Sequence, residues 1–245
     1  MELEEYAAQQ QLIVSEFLQF IAPILYLYQG REVDDSMWEE LLSLLILPTA
    51  RARTASAQLA LDFFIAQREA EGATGDFTPG EPRPLTGALF RKIMNQKRDN
   101  MRASNTSSEE LAALAARAVK LVENGGRETM MSSVHRDDTV IGWARYDPKP
   151  PTCGFCVTMI SRGPVYKSEI SAGGRTQWHD NCSCKVVAVR DANSWPGREG
   201  FLKAEALWKE ASRGAKNNED AIRRLDSMLR PSRYRRSSEE EKRAA

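Results

Sequence analysis

All four cysteines and one of the two histidines lie between residues 153 and 184, in CGFCVTMISRGPVYKS (153–168) and QWHDNCSCKVV (177–187). The pattern is C-x2-C, twenty-two intervening residues, then H-x2-C-x-C. Zinc takes four Cys or His ligands in a tetrahedron, and two C-x2-C-like knuckles about 12–20 residues apart are the usual way to supply them. The residue types fit here, while C-x-C is an atypical second knuckle. Cys153 and Cys156 form one knuckle, with Gly154 allowing a tight turn. If Cys182 and Cys184 sit on an extended segment, the two-residue period puts both on one face, and His179 can stand in for either. Three other readings remain open: reduced core thiols, disulfides with three possible connectivities, and a thiol nucleophile with His179 as base. The nucleophile reading lacks a third member, because Asp180 faces elsewhere on an extended segment. A C-x-x-C redox motif would open a helix beside a parallel sheet, and no such context is visible.

The surrounding texture tells where this cluster sits. Residues 139–147 (TVIGWARYD), 164–169 and 184–190 have strand-like content, and turn residues lie between them. Residues 139–192 therefore read as a small module of short strands and turns, too small to bury much core and in need of a staple. Before it the chain reads as helical. Leu12, Ile13, Glu16, Phe17, Phe20, Ile21 and Ile24 follow helical spacing, with Pro23 expected to kink or punctuate the helix. Asp35 or Ser36 is expected to cap a second helix that Pro48 ends, and a third runs from Thr49 to Glu71. A Gly/Pro-rich loop (72–87) and a short helix (87–101) follow. Ser107 and Glu110 form a capping-box pattern, and Gly125 with Gly126 offers a stop after which the helix can resume. Two more helices follow the module, one with Phe201, Ala204, Leu207, Trp208 and Ala211, the other with Ile222, Leu225, Met228 and Leu229.

The expected fold class is α+β, predominantly α-helical: a helical part (1–135), the Cys/His module (136–192), C-terminal helices (193–231) and a charged, flexible tail (232–245). A chain of 245 residues can bury a real core. Lys plus Arg balances Asp plus Glu at 34 each, which gives no support to a globally basic nucleic-acid binder. The charge is segregated, however. Residues 1–47 carry nine acidic side chains against Arg31 alone, whereas residues 213–236 are mainly basic. The acidic N-terminus does not look like a secretion signal, and 12–28 is too short and too polar to span a membrane, so a reducing cytoplasm is expected at the time of folding. His135, in a polar stretch, reads as a surface histidine. No phosphate loop, nucleophile elbow or paired-carboxylate site stands out.

The order GWARYDPKPPTCGFCVTMISRGPVY (142–166) and WHDNCSCKVVAV (178–189) resembles the MuF-like minor capsid, or head-morphogenesis, proteins of tailed bacteriophages, in particular their actinobacteriophage branch. The resemblance covers about fifty residues closely. It implies a non-enzymatic virion protein, made in the host cytoplasm and retained inside the head. Such a protein associates with the portal protein, and with major capsid or scaffolding protein, during procapsid assembly. Cys153, Cys156, His179, Cys182 and Cys184 match the motif, and one structural zinc is inferred from their ligand chemistry. Arg223, Arg224, Arg230, Arg233, Arg235 and Arg236 are candidates for non-specific contact with packaged DNA or an acidic partner, although the same residues fit a solvated helix face. A different class of function, a zinc- or thiol-dependent hydrolase, would keep an open metal position or an accessible nucleophile.

Overall fold

The computed structural model describes residues 1–101, 106–149, 153–166 and 178–230. These are predominantly helical with one two-stranded antiparallel sheet, an α+β architecture. The chain divides into two units, Met1–Thr139 with Ser168–Cys182 and Val140–Lys167 with Ser183–Ala245.

The first unit is built on three long helices. Helix α1 (Leu3–Tyr26) buries Tyr6, Gln10, Val14, Phe17, Ile21 and Leu25, a three- and four-residue spacing that places them on one face. Pro23 sits inside its last turn. Helix α2 runs unbroken from Asp35 to Ala70, capped by Asp34, whose carboxylate accepts from the Met37 N–H at 2.8 Å. Two expectations are corrected here. The cap lies one residue earlier than Asp35, and Pro48 does not separate two helices. Proline removes one N–H and crowds the preceding turn. Next to it, the buried Thr49 hydroxyl donates to the Leu45 carbonyl at 2.7 Å, the neighbour of the Leu44 carbonyl that the proline deprives of its N–H donor. On both sides of Pro48 an apolar face (Trp38, Leu41, Leu45, Phe63, Phe64) continues into the core, so packing favours carrying the helix through.

The loop 71–86 leads to α3 (Gly87–Met94), a 3-10 turn (Asn95–Lys97) and α4 (Arg98–Met101), in place of one short helix. Helix α5 (Ser108–Val134) opens with both halves of the expected capping box: the Glu110 N–H donates to Ser107 Oγ, and the Ser107 N–H to the Glu110 carboxylate. Gly125 and Gly126 lie inside α5 and do not stop it. They are where α5 meets its neighbours most closely, and a Cβ on Gly126 would come within 3.0 Å of the Ser56 carbonyl oxygen. Phe17, Ile21, Trp38, Leu41, Leu45, Phe90, Leu114 and Val122 form the centre of the core.

In the second unit β1 (Gly142–Tyr146) pairs antiparallel with β2 (Lys185–Val189), in register from Gly142 opposite Val189 to Tyr146 opposite Lys185. Every residue of β2 is buried, Lys185 included, and Val186–Val189 accordingly form a continuous apolar run and not an alternation. The strand expected at 164–169 is a single bridge between Trp143 and Tyr166 as far as the described residues show it; the rest of that stretch lies outside them. The first cysteine pair opens a helix, α6 (Gly154–Ile160), where only turns were expected. Asp226 secures its start, accepting from the Gly154 N–H at 2.7 Å. Helix α6 packs against α7 (Arg198–Ser212) and α8 (Asn218–Leu229), so the two C-terminal helices belong with the strands. The proposed flexible tail, 232–245, lies outside the described residues. Among the described residues no helix is long and apolar enough to cross a membrane.

Candidate metal centre

The thiols of the second unit converge at the start of α6 and the start of β2. Cys153 is the residue that caps α6, Cys156 lies in its first turn, and Cys184 immediately precedes β2. The Sγ atom of Cys156 is within 4.8 Å of the Sγ atoms of both Cys153 and Cys184. A tetrahedral zinc with Zn–S bonds of about 2.3 Å holds its sulfurs roughly 3.8 Å apart, so small side-chain rotations separate this arrangement from a bound geometry. Cys156 is 3% exposed and Cys184 0% exposed, while Cys153 is half-buried. Asp147 sits close to this region: its carboxylate accepts from the Ser183 hydroxyl at 2.8 Å and from the Lys149 N–H at 3.2 Å, tying down the chain just before Cys184.

Aromatic packing fixes the backbone around these thiols. Trp143 is fully buried and its ring lies 4.6 Å from that of Tyr166, whose hydroxyl donates to the Met159 carbonyl of α6 at 2.9 Å. Burial pushes the Tyr166 phenol above its ordinary range; Arg145 and Arg162 act against that, and Cys184 adds to it.

His179 and Cys182 belong to the first unit, on a turn that the chain makes just before it enters the second. Asn181 adopts a left-handed conformation (φ 64°), and the Cys182 N–H donates to the His179 carbonyl at 3.2 Å. His179 Nδ1 lies 2.8 Å from the Asp180 carbonyl oxygen. A carbonyl can only accept, so Nδ1 carries the proton and, in the neutral ring, Nε2 carries the lone pair. That is how a ligating histidine is normally held in its tautomer.

Helix α5 grips this turn with charge. The buried Arg127 guanidinium stacks on Trp178, 4.5 Å from the ring centre, and donates to the Cys182 carbonyl, to Glu123 and to Asn124. The Asp180 carboxylate pairs with Arg117 at 3.0 Å and Lys97 at 3.3 Å, so it does not serve His179 as the acid of a catalytic triad. None of these contacts was expected from the sequence. An i,i+4 Glu–Arg pair inside α5 was the one available signal, and it reads equally as surface charge.

The other candidates lie elsewhere. His135 is exposed at the C-terminus of α5, in keeping with a surface histidine. Arg223 pairs with Asp220, Arg224 donates to the carbonyls of Arg213 and Gly214, and Arg230 follows α8. Arg233, Arg235 and Arg236 lie outside the described residues.

The chain belongs to the VG15 protein family, whose model matches residues 1–211. Its relatives are bacteriophage proteins. The chain is similar to the Gene 15 protein of Mycobacterium phage L5, with 29% identity over 254 residues, covering 86% of this chain and 85% of that one. It is similar also to the Gene 15 protein of Mycobacterium phage D29, with 28% identity over 209 residues, covering 73% and 76% respectively. No solved structure matches.

Proposed function

We propose that the protein is a minor head protein of the MuF-like kind, acting without catalysis in procapsid assembly beside the portal and remaining inside the virion. The observation that carries this reading is where the MuF-like residues fall. Those in 142–166 and 184–189 supply β1, α6 and β2, the framework of the second unit, in a chain whose family relatives are phage proteins. In this reading the second unit is a rigid platform clipped by one structural zinc. Cys153, Cys156 and Cys184 are the three ligands that the second unit supplies. Burial of Cys156 and Cys184 supports a closed site over a hydrolase, whose metal or nucleophile must meet substrate.

The test of the head assignment is mass spectrometry of purified virions and of procapsids. The protein is expected in both, at low copy relative to the major capsid protein and co-purifying with the portal. Its absence from both particles would overturn the reading, whatever the metal content of the isolated protein.

A further inference from the structure

The first unit contains a cavity of about 220 Å³ among α2, the loop before α3, α3 itself and α5. Its walls are chiefly apolar, with Leu85, Leu89, Ile93 and Leu121 among the lining residues. Its charges are unevenly balanced. At one end Arg53 and Glu128 pair at 2.6 Å and cancel. At the other, Arg117 and Lys120 have, among the described residues, a single carboxylate between them, Asp180, at 3.0 and 4.0 Å, and Lys97 shares it at 3.3 Å. Three cations therefore lean on one anion. Burial holds the Lys120 ammonium below its ordinary pKa, Arg117 and Arg127 push the same way, and Asp180 opposes them. A half-buried cation with that surplus around it favours an arriving anion.

We propose that this cavity binds a small aliphatic carboxylate, its carboxylate received by Lys120 and Arg117 and its hydrocarbon part laid against Leu85, Leu89, Ile93 and Leu121. At about 30 Å³ for each water-sized group, the space holds roughly seven to eight, the size of hexanoate or of the side chain, Cα and terminal carboxylate of one leucine. A nucleic-acid phosphate suits it poorly, because its sugar and base would face apolar walls and Glu128. The carboxylate comes either from a free small acid or from the end of a partner polypeptide carrying an apolar last residue. The inference is independent of the head-protein reading, since no lining residue is a metal-site candidate.

The test is a titration of the full-length protein with hexanoate, followed by NMR of its leucine and isoleucine methyl groups. Saturable one-site binding is expected, shifting Leu89, Ile93 and Leu121, with 1-hexanol and inorganic phosphate each about tenfold weaker or worse. Lys120→Met is expected to weaken hexanoate about tenfold, and Lys120→Arg to restore most of it. Leu89 is 36% exposed, so Leu89→Glu should fold normally and abolish binding by placing a like charge at the entrance. N-acetyl-leucine binding more tightly than hexanoate identifies a polypeptide end as the source, and the reverse order a free acid. No saturable binding, equal affinity for hexanoate and hexanol, or unchanged affinity in both Lys120→Met and Leu89→Glu would overturn the proposal.

Discussion

Gly125 of α5 lies against the backbone of Arg53 on α2, so closely that a Cβ at position 125 would sit 2.3 Å from the Arg53 carbonyl oxygen. No side-chain rotation relieves a clash with main chain, so the two helices must separate to admit even a methyl group. Gly125→Ala is expected to destabilise the protein by about 1–3 kcal/mol, even though alanine favours a helix by about 1 kcal/mol over glycine. Gly200 in α7 is the control: nothing lies within 4 Å of a Cβ there, and Gly200→Ala should stabilise by about 0.5–1 kcal/mol. Urea denaturation of the two variants checks this, and equal signs would contradict it.

Thr49 carries a related expectation. Its hydroxyl donates at 2.7 Å to the Leu45 carbonyl beside the Pro48 position, and the side chain is fully buried. Thr49→Val keeps the shape and removes the donor, leaving backbone polarity unsatisfied in the core. A loss of about 1–2 kcal/mol is expected. Pro48→Ala restores an N–H whose helical acceptor is the Leu44 carbonyl and not that of Leu45, so the Thr49→Val loss should be about the same in that background. A clearly smaller loss there would show that the hydroxyl compensates for the proline.

These two sites also show where sequence reading succeeds and fails. The Ser107–Glu110 capping box and the face of α5 were legible because they depend on spacing within a few residues. Helix α1 was legible as a helix but not in its face, since Leu12 and Phe20 are exposed and Tyr6, Val14 and Leu25 are buried with Phe17 and Ile21. Pro48, Gly125 and Gly126 were read as punctuation because their local preference is to break helices. What overrides that preference is contact with residues far along the chain, such as Arg53 and Ser56. Helix α6 was missed for the converse reason: Gly154 and the cysteines look like a turn, and its start is secured by Asp226, seventy-two residues away. The ligand residues were legible by type and spacing. Arg127 on α5 and Asp180 on the turn, which hold the Trp178–Cys182 segment, were not, since one charged residue looks like another until its partner is known.

The zinc proposal yields a direct measurement. Protein purified reduced and without chelator is expected to carry about one zinc per chain, lost in Cys156→Ser and in Cys184→Ser. Chelation should lower the thermal stability of the second unit more than that of the first, because a small unit of this kind relies on its staple. Zinc should also leave as pH falls and the thiolates take up protons. Full retention of metal in both serine variants, or none in the unaltered protein, would remove zinc from the account.

Alkaline stability should be dominated by the buried phenols, and Tyr6 is the clearest case. It is 1% exposed and stacks on Phe63 with ring centres 4.5 Å apart. Burial pushes its hydroxyl far above the ordinary tyrosine range; Arg127 opposes this, Glu123 adds to it and a hydrogen bond with Gln10 opposes it. In the unfolded chain the phenol loses its proton near pH 10, whereas in the folded protein it does not. The folded state therefore holds more protons above pH 10, and stability falls as pH rises, by up to about 1.4 kcal/mol per pH unit for this one group. Below pH 10 its contribution is fully present. Tyr28 and Tyr166, raised by burial as well, act in the same sense, and Lys120, lowered by burial, acts in the opposite one. Those groups are common to the unaltered protein and Tyr6→Phe, so the difference between the two isolates Tyr6. Between pH 9 and pH 11 the unaltered protein should lose about 1–1.5 kcal/mol more than Tyr6→Phe in urea denaturation. Parallel pH profiles would mean that the Tyr6 phenol ionises in the folded state as readily as in the unfolded chain.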